Sequence, residues 1–149
     1  MWSATRTRLI EFEHVPGTSI WWPKSEELAG EKLSGILVVA FQAPLSFLNA
    51  HDFRSDFLAA IDHRPLSLVV LEAGSIVELD YTAARILADV IRRCRDAGAT
   101  FAIARLESVR AQKALNQFGV ATLLGANCQF RSVDDAIRAL APGASASPR

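Results

Sequence analysis

Charge of one sign is what this sequence most plainly lacks. Sixteen Lys and Arg residues balance sixteen Asp and Glu, giving a formal net charge of zero. Without a cationic excess the chain has no electrostatic footprint for nucleic acid or for an anionic membrane surface. Cysteine is scarce. Cys94 and Cys128 fit no metal-ligand spacing. Cys94 falls on the apolar side of a helix pattern and Cys128 stands near Phe130, so both are expected as buried free thiols. Free thiols point to a reducing, cytoplasmic setting. Long hydrophobic runs are missing too. Those around Ile36 and Leu66 fall far short of the roughly 20 residues that a bilayer-spanning helix requires. Arg6 and Arg8 are followed by no apolar run, so no signal peptide is expected.

The usual signatures of catalysis are also absent. His14, His51 and His63 show neither HxH nor HExxH spacing. No G-x-S-x-G elbow, Walker loop or glycine-rich dinucleotide turn occurs. Glu72 and Asp80 form a candidate carboxylate pair, but the sequence places no third group beside them. Surface and capping roles suit them better, and the chain reads as a non-enzyme.

What is present is enough apolar sequence for one core. Half of the 149 residues are hydrophobic, which suits a single domain and leaves no room for two ordinary ones. Residues 5–12 read as a first strand, and 15–18 (VPGT) as a turn. Trp21 and Trp22 are expected to cover a flank of the core, one ring in and one half out. Residues 25–32 read as a charged helical turn. Residues 35–42 (GILVVAFQ) form a near-continuous apolar strand, as expected when both faces of a sheet are covered. Pro44 ends it.

Helical spacing runs from Phe47 to Ile61, with Phe53, Phe57 and Ile61 inward and Asp52, Arg54 and Asp56 outward. Asn49 is a candidate cap there. Leu68 to Leu71 read as the central strand, and residues 81–97 as a long amphipathic helix ending at Gly98. Residues 99–104 give another strand, 107–118 a helix and 120–124 a short helical piece. Residues 128–130 give a last short strand. Ser132 caps a final helix. This alternation predicts one α/β domain with a mostly parallel sheet of about four to five strands and helices packed on it. The domain is expected to span 1–140, including an extended N-terminal segment 1–34. Residues 141–149 form a small, Pro-broken tail expected to be disordered.

The candidate site lies between the central strand and the long helix. Gly74 and Ser75 occupy the loop, and Asp80 stands at the N-cap position. Thr82 falls in the first helical turn, where free amides and the dipole favour a phosphate. Ser75 is a second candidate acceptor. Gly74, Glu78, Tyr81 and Arg85 complete a candidate partner-docking loop and helix start. The helix start at Asp80 is the one phosphate-binding feature legible, so nucleotide binding has no further support.

Strand, loop, Asp-x-Thr and long helix resemble the STAS domain shared by anti-sigma factor antagonists and sulfate transporters. Val15-Pro16-Gly17-Thr18 and the later stretch from Phe41 through Ala43-Pro44-Leu45-Ser46-Phe47-Leu48-Asn49-Ala50 are similar to the SulP transporter branch. The stretch from Ala114 to Val120, Leu124-Gly125 and Val133-Asp134-Asp135-Ala136 fits as well. The resemblance covers roughly residues 7–140. It implies the C-terminal cytoplasmic domain of a SulP-type anion transporter, on the inner face of the plasma membrane, without chemistry or cofactor of its own. Such a domain regulates or assembles the transporter. Its implied partners are the membrane domain of the same protein, acyl carrier protein in some members, or a second copy of the domain. In the antagonist relatives a serine or threonine two residues after the aspartate is phosphorylated, a role that transfers to Thr82 beside Asp80. Ala83 replaces the glycine common in antagonists, which favours the transporter branch over a free-standing switch.

Overall fold

A computed structural model describes residues 9–24, 30, 33–42, 49–62 and 64–141. Outside these lie most of the charged 25–32 segment, the Ala43–Leu48 portion of the transporter-like stretch, and the tail beyond Ala141. The opening of the first expected strand also lies outside them.

Six strands form one sheet: β1 (Leu9–His14), β2 (Trp21–Pro23), β3 (Ile36–Phe41), β4 (Leu68–Glu72), β5 (Thr100–Ala104) and β6 (Gln129–Phe130). Their spatial order is β2-β1-β3-β4-β5-β6. The strands from β3 to β6 run parallel, whereas β1 is antiparallel to both β3 and β2. The sheet is mostly parallel, as expected, with one strand more than the sequence predicts. The extra strand is β2, masked by its Pro23, which a sheet tolerates at an edge.

The edge position explains that tolerance. Lys24 donates to Glu11 and Val15 to the Ile20 carbonyl, so alternate residues of β2 turn toward β1. Trp21 and Pro23 therefore turn their backbone groups to the open side, and Pro23 has no N–H to offer.

Strand periodicity then sorts the side chains into two layers. Leu37, Val39 and Phe41 of β3, Val69 and Leu71 of β4, and Phe101 and Ile103 of β5 share one face. Helices α1 (Ala50–Ile61), α2 (Tyr81–Asp96), α3 (Val109–Gln117) and α4 (Val120–Leu124) contribute to the cluster on that face. Four phenylalanines run through it. Phe41 meets Phe53 edge-on at 5.1 Å, Phe53 meets Phe57 at 5.4 Å, and Phe57 meets Phe101 at 5.8 Å. Such contacts each add about 0.5–1.5 kcal/mol beyond the burial of area.

The opposite face carries Val38, Leu68, Val70, Ala102 and Ala104, covered by α5 (Val133–Leu140). Trp21 packs against this layer while Trp22 stays 51% exposed, the in-and-out pair that the sequence suggested. Ser132 caps α5 by accepting from the Asp135 amide at 3.0 Å.

Two local expectations need correction. Asn49 sits at the N-cap position of α1 but makes no side-chain cap bond. Asp56, expected on the outer face of α1, is half-buried with its Oδ2 buried, on the side of α1 that shares a pocket with Leu9, Glu11 and Val39.

Candidate functional site

β4 ends at Glu72, and the chain crosses the end of the sheet before entering α2 at Tyr81. The connection is anchored from beneath: Ala73, Ile76 and Leu79 are buried in the larger core layer. Between those anchors Gly74, Ser75, Val77 and Glu78 face outward. A buried–exposed rhythm of this kind holds a loop in one shape and still presents its polar groups.

Asp80 behaves as its sequence position predicts. Its Oδ1 accepts from the Ala83 amide at 2.8 Å and so satisfies one orphan donor of the first turn. Thr82 is exposed in that same turn, one residue past Tyr81. Glu72 and Asp80, the candidate carboxylate pair, are not partnered with each other. Glu72 is 6% exposed and instead accepts from the guanidinium of Arg105 at 2.7 Å, while its other oxygen accepts from the Gly74 amide at 3.2 Å. A side chain at Gly74 would press on this pair, since its Cβ would lie 3.0 Å from Glu72 Oε2.

Arg105 and its neighbours are what the sequence reading missed. Arg105 has a φ of +62°, a left-handed conformation unusual for a residue with a side chain. It stands directly after β5 and brings the β5–α3 connection against the β4–α2 loop. Ser108 strengthens the junction: its hydroxyl donates to the Val77 carbonyl at 2.7 Å and accepts from the Ala111 amide at 3.2 Å, capping α3. Arg110 adds an exposed pair with Glu78 at 3.0 Å. The Ser-x-x-Ala run ahead of a helix was a readable cap signal for Ser108. Nothing local marked Arg105, whose partner is 33 residues away.

Tyr81 and Arg85 form a second unit on the outer side of α2. Tyr81 is 57% exposed, and its ring meets Phe118 edge-on at 5.5 Å. Arg85 lies over that ring at 5.8 Å and donates weakly to its hydroxyl at 3.4 Å. Together with Ala84, Ala88, Arg92 and Phe118 they line an open groove of about 420 Å³.

The structure therefore gathers Gly74, Ser75, Glu78, Asp80, Tyr81, Thr82 and Arg85 at one end of the sheet and the start of one helix. Neither the Ser75 nor the Thr82 hydroxyl is bonded to a histidine or carboxylate among the described residues. Among those residues no cluster of His, Cys, Asp and Glu has a metal-holding arrangement, and no helix is long and apolar enough to cross a membrane. The surface so formed consists of exposed hydroxyls, an anchored loop and a groove with a cationic rim.

Comparison with known proteins gives this arrangement its context. A model of the STAS domain matches residues 28–136. A probable sulfate transporter of Mycobacterium tuberculosis is 34% identical over 112 residues, covering 70% of this chain and 20% of that protein. The chain thus spans about a fifth of the length of the curated relatives it matches.

Among solved structures, SLC26A9 superposes with a TM-score of 0.81 at 15% identity, over 95% of this chain and 25% of that one. Its murine form is an anion transporter captured facing inward. The STAS domain of a Vibrio cholerae SulP transporter gives 0.64 at 17% identity, over 82% of this chain and 93% of that one. RsbS from Moorella thermoacetica gives 0.59 at 16% identity, over 73% and 90%. At such identities these superpositions speak for the fold, and the matched model and the transporter relative speak for descent. The chain belongs to the STAS domain family, and its relatives include SulP sulfate transporters.

Proposed function

We propose that this chain is a regulatory and interaction domain of a SulP-type sulfate or anion transporter, acting without catalysis at the cytoplasmic face of the membrane. The observation that carries the reading is the 34% identity to a probable sulfate transporter over 112 residues. The site supports it physically. The β4–α2 loop is fixed by buried anchors and by Glu72–Arg105, and so offers Ser75, Glu78, Tyr81, Thr82 and Arg85 to a partner in one arrangement. The membrane domain of the same transporter is the first partner, with acyl carrier protein or a second copy of the domain as further ones.

Phosphorylation of Thr82 would place about two negative charges beside the free amides of α2, which favour it, and near Asp80, which does not. The balance acts on the surface: a docked partner is expelled while the fold stays as it is. The test places Thr82→Glu and Thr82→Ala in the whole transporter and follows anion uptake. The reading expects the glutamate variant to change uptake while the alanine variant keeps it. Unchanged uptake in both variants removes the regulatory role of Thr82.

A second reading is a free-standing switch protein phosphorylated on Thr82, favoured by the likeness of fold to RsbS. An immunoblot of fractionated native cells separates the two. A membrane band several times larger than 16.2 kDa supports the transporter, and a non-membrane band at that mass supports the switch.

A further inference from the structure

The groove on the outer side of α2 has a composition that neither the fold nor the capping of the helix requires. Its floor is the half-buried Ala88, a small residue on the outer stripe of α2, beside Ala84, which the core already covers. Tyr81 and Phe118 supply aromatic walls. Its rim carries Arg85 and Arg92, seven residues apart and thus on one stripe of the helix. The carboxylate in the groove, Asp89, is already engaged, accepting from Arg54 Nε at 2.7 Å. Two cationic groups are left over, and Arg92 has no ion-pair partner among the described residues. Arg85 is held at the rim by its stacking on Tyr81, so little freedom is lost when it binds.

From this we infer that the groove docks an acidic amphipathic helix of a partner protein. The inference rests on the reading of α2 as the docking element and adds the chemistry of what docks. From Tyr81 to Arg92 the groove extends about 16 Å at 1.5 Å per residue, the length of three turns. A matching helix carries two acidic residues seven apart to meet Arg85 and Arg92. Between them lies a short apolar stripe that reaches Ala88 and the two aromatic rings. A helix with apolar residues alone leaves both arginines partnered only by water, and a polyanion without an apolar stripe leaves the rings uncovered.

The test uses the full chain and a fluorescein-labelled synthetic amphipathic helix with glutamates seven apart and leucines between them, followed by anisotropy. A control peptide has glutamine in place of both glutamates. The glutamate peptide is expected to bind about tenfold more tightly than the control, and Arg92→Glu is expected to remove that difference. A peptide with arginine at the position facing residue 92 should then recover binding to the Arg92→Glu chain. Equal binding of both peptides, or binding unchanged by Arg92→Glu, overturns the inference. Binding of anionic phosphatidylglycerol vesicles through Arg85 and Arg92, with no binding of the peptide, overturns it in favour of a lipid surface. Arg92 is exposed, so the variant keeps its fold, which an unchanged melting temperature verifies. Because the binding measurement involves no transport, its failure is distinct from a failure of the uptake experiment.

Discussion

Arg105 reaches across the ends of two neighbouring parallel strands to place its guanidinium 2.7 Å from the buried carboxylate of Glu72. The arginine is half exposed and the glutamate nearly hidden, so the two partners are not equivalent. Removing the arginine strands a carboxylate with little solvent. Arg105→Ala is expected to lower stability by about 2 kcal/mol, less than a fully buried pair would cost because one partner is wet. Arg105→Gly also loses the pair but relieves the left-handed backbone, and should cost about 1 kcal/mol less than the alanine variant. Urea denaturation of the two variants checks the order. An alanine variant as stable as the glycine variant would contradict the strain.

Ser108 and Ser132 each cap a helix by accepting from the amide three residues on, but differ in a second bond. Ser132→Ala should cost about 1 kcal/mol, an ordinary cap. Ser108→Ala should cost about 1.5 kcal/mol, since its hydroxyl also holds the Val77 carbonyl. Hydrogen exchange separates them further. The amides between Gly74 and Leu79 should exchange faster in the Ser108 variant and be unchanged in the Ser132 variant.

Cys94 lies on the buried face of α2, and loss of solvent raises its thiol from 9.0 to about 11, with Arg93 pulling the other way. The folded state therefore holds this proton more tightly than the unfolded chain does. Its contribution to stability is complete below pH 9 and is lost as the pH rises toward 11. The melting temperature should fall across that window, and the fall should shrink in Cys94→Ala. In the native protein at neutral pH, Cys94 should resist thiol reagents.

Phe57 sits between Phe53 and Phe101 in the larger core layer, with no exposure to solvent. Phe57→Ala is expected to destabilise by about 4 kcal/mol, the usual cost of emptying a buried phenyl site. Thr82→Glu makes the contrasting case. On the exposed first turn of α2 it should change stability by no more than about 0.5 kcal/mol. A docking defect in that variant would therefore report on the surface and not on the fold.

Periodicity made the interior legible. The apolar runs of β3, β4 and β5 announce strands covered on both sides, and the spacing of Ala83, Leu87, Ile91 and Cys94 announces the buried stripe of α2. Asp80 and Ser132 were readable as caps because a cap is a bond between near neighbours. β2 was not readable: three residues with a proline carry no strand signal, and its pairing with β1 follows from the turn between them. Arg105 was harder still. Its significance lies in a partner distant in sequence and in a backbone angle that no residue type announces. The docking groove needed the structure for the same reason, since Phe118 approaches Tyr81 only once α3 has folded back.

The open side of β2 has a consequence for how copies of this domain can meet. With the amide of Trp21 as the one outward donor along the strand, and Pro23 next in line, a neighbouring strand finds no ladder to extend. At the far edge β6 contributes two residues. Fibrils grow by templating strand upon strand, and among the described residues both margins of this sheet are short templates. A second copy meeting either described margin of the sheet therefore finds side chains more than backbone, and side-chain contacts can be undone.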